Sequence, residues 1–148
     1  MPRTLFTIGY ERLSLPQLVE ALKAAKVKAL IDVRELPNSR RAGFSKKMLS
    51  ATLGGAGISY SHFKALGTPK AGRVANHAGR MDEFWEIVDG ALSRPEAGLA
   101  LEAAAEIAGG KAACLLCLEH DHKTCHRLRV AEMLAARGFK VKHLSPAP

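Results

Sequence analysis

The spacing of apolar residues changes character several times along the chain, and each change marks an element. Thr4-Leu5-Phe6-Thr7-Ile8 is a short apolar run closed by Gly9, and it reads as a first strand. Ser14-Leu15-Pro16-Gln17 then has the signature of a helix start: a capping serine, a proline in the first turn and Gln three residues after the cap. Leu15, Leu18, Val19, Leu22 and Ala25 follow at helical spacing. Residues 27–33 form a second strand-like run. Strand, helix and strand within about 30 residues predict a βαβ unit with parallel pairing and a right-handed crossover.

Further along, residues 34–43 read as a polar loop, and Ser45 as the cap of a helix reaching about Leu53. Gly54-Gly55-Ala56-Gly57 ends that helix, and Ile58-Ser59-Tyr60 is a short strand. Residues 66–79 carry three Gly and one Pro with no clear period, so they are expected to form a long, candidate mobile loop. Two helices follow, Met81–Leu92 and about Glu96–Ala108, separated at Arg94-Pro95. Ala112–Leu118 is an unbroken apolar run, as expected of a strand buried on both faces. Thr124 is positioned to cap a helix from Cys125 to Arg137, Gly138 to stop it, and residues 139–144 to form a last strand. The expected fold is a single α/β domain over residues 1–148, with a mostly parallel sheet of about five strands flanked by helices.

Length and composition agree with that fold. A chain of 148 residues that is 47% hydrophobic and 24% charged is neither disordered nor fibrous. At this size a domain typically removes about 68–70% of its unfolded surface from water, so no metal or disulfide staple is required. The longest apolar run is far short of the roughly 20 residues that span a bilayer. Met1-Pro2-Arg3-Thr4 leads directly into a strand-like run without a long apolar region, and the three cysteines do not make a disulfide framework. A cytoplasmic protein without membrane association is expected; its oligomeric state is left open.

Charge is distributed unevenly. Residues 1–80 hold 14 basic and 4 acidic residues, and residues 36–80 hold eight basic residues and no acid. A field of that sign attracts polyanions or phosphorylated ligands, although a merely solubilising surface has the same composition. Within this stretch Phe44, Tyr60 and Phe63 are interleaved with Arg40, Arg41, Lys46, Lys47 and Lys64. Aromatic faces amid positive charge suit single-stranded nucleic acid; the plainer alternative is that the aromatics anchor loops to the core.

Parallel sheets bind ligands at the carboxyl ends of their strands. Gly9 and Tyr10 follow the first strand, and Asp32 and Arg34 end the second. After the buried strand come Glu119, His120, Asp121 and His122, then Cys125, His126 and Arg127 at a helix start. The expected site gathers these at one sheet edge. Asp32 or Glu119 would move protons, and Cys125 would be an orienting group or a nucleophile activated by the helix N-terminus and His126. Gly9, Tyr10, Arg34, Ser39 and Arg127 would hold an anionic ligand. Each also has a structural reading: a packed thiol, an arginine–carboxylate bridge, or an aspartate closing a strand. No cofactor is assigned, because Gly54-Gly55-Ala56-Gly57 lacks the preceding strand and following lysine of a phosphate loop. Ser59, Ser61 and His62 make no defensible triad. No metal is assigned either. Cys114 and Cys117 are spaced C-x2-C, but three residues apart on a strand they point to opposite faces. A metal site drawn from Glu119, His120, His122, Cys125 and His126 remains as a lesser alternative.

The ordered motifs Thr7-Ile8-Gly9-Tyr10, Asp32-Val33-Arg34 with Pro37 and Ser39, Phe44, Gly57-Ile58-Ser59-Tyr60, Leu66-Gly67, Leu115-Leu116-Cys117-Leu118-Glu119 and Cys125-His126-Arg127 resemble the family called domain of unknown function 488. The resemblance covers about residues 4–143 and implies a single prokaryotic α/β domain. It implies no reaction, cofactor or partner. Its motif residues coincide with the strand-end set, and where the family commonly has a second Gly after Leu-Gly, this chain has Thr68-Pro69. The leading expectation is a hydrolase or group transferase acting on a phosphate-bearing ligand, such as a nucleotide or a nucleic-acid end. The alternative is a non-catalytic nucleic-acid-binding module that uses the basic stretch.

Overall fold

The computed structural model describes residues 3–147; Met1, Pro2 and Pro148, which the sequence reading counted within the domain, lie outside the described residues. The expected strands form. They are β1 (Thr4–Gly9), β2 (Ala29–Asp32), β3 (Ser59–His62), β4 (Ala113–Cys117) and β5 (Lys140–His143). All pair in parallel, in the order β3-β2-β4-β1-β5. The helices are α1 (Leu15–Ala24), α2 (Lys46–Gly55), α3 (Lys70–His77), α4 (Met81–Leu92), α5 (Pro95–Gly110) and α6 (Arg127–Ala135). Single 3-10 turns occupy Lys64–Leu66 and His122–Thr124. No helix among the described residues is long and apolar enough to cross a membrane.

The sheet divides the core in two. On one face Leu18 and Leu22 of α1 and Leu49 and Leu53 of α2 pack against Ile8, Leu30, Cys114 and Leu116. On the other, Ala75, Phe84, Leu101 and Val130 of α3–α6 pack against Leu5, Ile31, Leu115 and Cys117. Cys114 and Cys117 thus lie in different cores, as strand alternation requires. The capping box of α1 also forms. Ser14 Oγ accepts from the Gln17 backbone N–H at 3.2 Å, and Gln17 Oε1 accepts from the Ser14 N–H at 2.8 Å.

Three local readings need correction. Residues 66–79 are not one long loop, because Lys70–His77 is helical. The buried face of α3 consists of Gly72 and Ala75, so it leaves no strong hydrophobic period. A Cβ at Gly72 would lie 2.5 Å from Thr68 Cγ2, which leaves no room there for a larger apolar residue. Ser45 precedes α2 but does not cap it with its side chain. Its Oγ instead accepts from the Ser39 N–H at 3.0 Å and pins the preceding loop. The last helix starts at Arg127 rather than Cys125, because Asp121 caps a separate 3-10 turn by accepting from the Lys123 N–H.

Candidate functional site

Strand register brings the expected edge together. Gly9 lies beside Cys117, and Asp32 beside Leu116. Central β4 therefore carries the motifs of β1 and β2 on either side. The connections after β2 and β4 leave towards opposite edges of the sheet, which opens a crevice above its centre. The crevice holds a cavity of about 260 Å³ lined by Tyr10, Arg34, Glu35, Leu36, Thr68, Arg73, Phe84, Cys117, Glu119 and His126, among others.

One wall is a buried ion pair. Asp32 accepts from the Arg34 backbone N–H at 3.0 Å, from Nε at 2.9 Å and from Nη2 at 2.8 Å, and Tyr60 donates its hydroxyl to the same carboxylate. Arg34 Nη1 donates onward to the Phe44 carbonyl at 2.7 Å and to the Tyr10 hydroxyl at 3.3 Å. Burial alone would favour a neutral guanidine, but the Asp32 carboxylate outweighs it and raises the Arg34 pKa. Burial and the hydrogen bond to anionic Asp32 likewise push the Tyr60 phenol up. Asp32 is fully buried and committed to these partners, so it positions Arg34 and Tyr60 rather than standing free as a base.

The opposite wall comes from α3 and the segment before it. Gly67 packs so closely that a Cβ would fall 2.2 Å from the Glu35 backbone nitrogen. Arg73 Nη1 donates to Glu35 Oε1 and to the Thr68 carbonyl, each at 2.7 Å, and Asn76 Nδ2 donates to the Thr124 carbonyl at 2.7 Å. Thr68 is 5% exposed, lines the cavity, and its hydroxyl has no hydrogen-bond partner.

The floor carries the reactive groups. Cys117 Sγ lies 3.4 Å from His126 Nδ1, and Cys125 Sγ lies 3.9 Å from the same nitrogen. His126 Nε2 is 2.6 Å from the Val33 carbonyl. A carbonyl only accepts, so Nε2 carries the proton and Nδ1 faces both sulfurs. Burial opposes ionising Cys125, but hydrogen bonds from Cys117 and His126, with the charges of His126 and Arg127, hold its thiol well below the ordinary range. Burial and the anion on Cys125 push Cys117 well above it. The first proton lost by the pair therefore comes from Cys125. Burial lowers the pKa of His126, yet Cys125, Val33 and Glu119 together raise it. Half-buried Glu119 is pushed up to about 7, first by burial and then by the Cys125 charge. The sulfurs of Cys117 and Cys125 and the His126 nitrogen lie within 4.8 Å of one another, a donor set able to hold a metal.

Several expected site residues stand elsewhere. Cys125 is extended and fully buried, and it does not line the cavity, so its thiol has no route to a ligand there; the sulfur that does is Cys117. Arg127 is fully buried and gives its donors to Thr7 Oγ1 and to the carbonyls of Glu119 and His120. It holds the loop after β4 in place and is not part of the cavity lining. Gly9 admits that loop rather than a ligand, since a Cβ would sit 1.7 Å from the Glu119 carbonyl oxygen. Ser39 accepts from the Arg41 N–H at 3.1 Å and lies outside the cavity. In the basic stretch, Arg41 is spent on the carbonyls of Tyr10, Glu11 and Leu13. Phe44 is buried and stacked on Tyr10 at 4.5 Å, so it anchors the loop. Arg40, Lys46, Lys47 and Lys64 are exposed. The sequence reading passed over Cys117, Thr68 and Arg73. Only Cys117 left a usable signal, as the last residue of a buried strand eight positions before Cys125-His126.

Two further histidines form a stacked pair outside the cavity lining. His122 and His143 stack with ring centroids 3.7 Å apart, and His143 Nδ1 meets Thr7 Oγ1 at 2.6 Å. Burial, the neighbouring ring and Arg127 lower His143 to about 4, and burial and Arg127 lower His122. Unfolded histidine, near 6.5, binds protons that the folded pair refuses. The pair's contribution to stability is therefore present above about 6.5 and lost as pH falls towards 4. Glu119 acts in the opposite sense, so the test is a difference. The stability of wild type relative to His143→Gln, from urea unfolding, should fall as pH drops from about 6.5 to about 4. A pH-independent difference would show that the stacked pair is not titrating.

Together these features define a single-domain α/β protein with a parallel sheet and, at the strand carboxyl ends, a cavity lined by thiol, imidazole and carboxyl groups. The family profile described as "Domain of unknown function DUF488" matches residues 14–134, and the chain belongs to that family. No curated protein and no solved structure matches it.

Proposed function

We propose that the protein is a hydrolase or group transferase that binds a small phosphate-bearing ligand, such as a nucleotide or a nucleic-acid end, in the cavity above β4. The observation that carries this reading is the Thr68 hydroxyl. It is buried without a partner beside the cavity that holds Glu119, Cys117 and His126. Leaving such a group unpaired costs about 1–3 kcal/mol, a cost that a ligand oxygen would offset. Arg73 lines the cavity but is paired with Glu35, so the field that favours an anion is that of the acid-free stretch 36–80 around it. A cavity of about 260 Å³ falls just below the usual span of roughly 300–1,000 Å³ and suits a small ligand or a terminal group rather than a duplex. Cys117, His126 and Glu119 supply the reactive end of the site, and Arg34 and Tyr10 shape its wall.

A second reading is favoured by one observation. Arg40, Lys46, Lys47 and Lys64 are exposed, and none forms an ion pair among the described residues. They would suit a nucleic-acid backbone without catalysis. Calorimetric titration with inorganic phosphate, pyrophosphate, nucleoside monophosphates and short single-stranded RNA and DNA separates the two. Thr68→Val should weaken the small phosphorylated probes by about 10–100-fold, without lowering the stability of the free protein. Full retention of their affinity would overturn the cavity reading. Affinity confined to the polymers, steeply salt-dependent and lost in Lys46→Ala/Lys47→Ala, would establish the second.

A further inference from the structure

A thiol–imidazole pair needs one sulfur, yet two converge here on a single nitrogen. We propose that Cys117, Cys125 and His126 bind a zinc-class divalent cation, held at the floor of the cavity.

The geometry carries this. A tetrahedral zinc ion with sulfur at about 2.3 Å and imidazole nitrogen at about 2.0–2.1 Å sets S···N separations of roughly 3.6 Å and S···S of about 3.8 Å. The observed S···N separations are 3.4 and 3.9 Å, and all three donor atoms lie within 4.8 Å of one another. Adjustments of about an ångström or less close the site. The hydrogen bond from His126 Nε2 to the Val33 carbonyl is the outer-shell contact that metal-binding histidines characteristically make. It fixes the ring so that Nδ1, on losing its proton as the cation binds, presents a lone pair between the sulfurs. Full burial of Cys125, which removes it as a nucleophile, is what a ligand behind the ion requires. Two thiolates and one imidazole favour zinc or another borderline-soft ion over magnesium or calcium.

Three protein ligands leave a fourth position, the pattern of catalytic rather than structural zinc. Cys117 and His126 both line the cavity, so a cation between them borders the space where a ligand would sit. Glu119 Oε2 lies 4.0 Å from Cys117 Sγ, so a carboxylate stands beside the proposed donor set. This site goes beyond the proposed function, and its test needs no substrate.

The test uses the full chain without a histidine tag, stripped with chelator under a phosphine reductant and titrated with cobalt(II) alone. One equivalent should bind, with the visible bands of a tetrahedral ion and a near-ultraviolet thiolate-to-cobalt band, and zinc should displace it. Cys125→Ser and His126→Asn should each weaken uptake by more than about 100-fold, beyond what loss of an outer-shell contact costs. Cys114→Ala, altered in the other core, should keep the spectrum. Should the variants fail to fold, the wild-type spectrum decides. Failure of wild type to take up cobalt stoichiometrically would overturn the site, and so would binding that survives Cys125→Ser. Either result leaves the cavity reading standing, because the phosphate-probe titration tests it separately.

Discussion

Asp32→Ala is expected to destabilise the protein by about 3–5 kcal/mol, the usual cost of leaving a buried charge without its partner. The carboxylate is fully buried, and the Arg34 side chain is only 6% exposed. Removing Asp32 strands the guanidinium and frees the Tyr60 hydroxyl and the Arg34 backbone N–H together. The loss should come from the broken pairing rather than from the absence of a charge as such. Replacing both partners by apolar residues, as in Asp32→Leu/Arg34→Met, should therefore cost much less than the two single changes added together. Urea unfolding of the four proteins of this cycle measures the coupling. Additive single effects, or a loss under about 1 kcal/mol for Asp32→Ala, would mean that the ion pair is not what holds the cavity wall.

Gly9→Ala should be nearly as damaging, although it adds only a methyl group. That carbon would fall 1.7 Å from the Glu119 carbonyl oxygen and 3.0 Å from the His120 nitrogen, both backbone atoms that cannot swing aside. Either β1 or the loop after β4 must move. The loop is fastened through Arg127 to the same two residues. We expect a loss of about 3 kcal/mol or more, the upper end of ordinary overpacking, together with displacement of Glu119 from the cavity. By contrast, Gly54→Ala in α2, where an added Cβ meets nothing within 4 Å, should be neutral or stabilising. Thermal and urea unfolding of the two variants side by side make the comparison. Equal stabilities would show that β1 yields easily at Gly9.

Most of the fold was legible because its elements announce themselves locally. The β4 run is buried at every position, and the α1 start carries reciprocal caps that need no tertiary context. Helix α3 was hidden because its buried face is made of glycine and alanine, whose small size reflects tight packing rather than a loop. The carboxyl-end cluster was found by topology, and Tyr10, Arg34, Glu119 and His126 do meet at one cavity. Roles within it were harder to read. Whether Arg127 faces a ligand or three protein oxygens depends on a loop path that local sequence does not encode. Cys125 moved out of the helix because Asp121 caps a turn just before it, and the nucleophile expected there became a buried thiol. Cys117 was passed over because a cysteine within an apolar run has the pattern of core packing. Its place at the end of β4, eight residues before Cys125-His126, was the signal to weigh, and its register beside Gly9 puts it at the cavity.

The place of β4 in the sheet also governs when the protein can fold. β1 and β2 do not pair with each other; both pair with β4, as in Leu5 with Ala113 and Ala29 with Ala113. A nascent chain therefore holds its first two strands apart, with open edges, until the central one leaves the ribosome. Contacts that span most of the chain are slow to form, and unpaired edges invite wrong partners meanwhile. The strand that joins β1 to β2 also delivers Cys117, with Glu119, Cys125 and His126 following within a few residues. Joining of the two halves of the sheet and assembly of the cavity's thiol, imidazole and carboxyl groups thus both wait for β4 and the segment just after it.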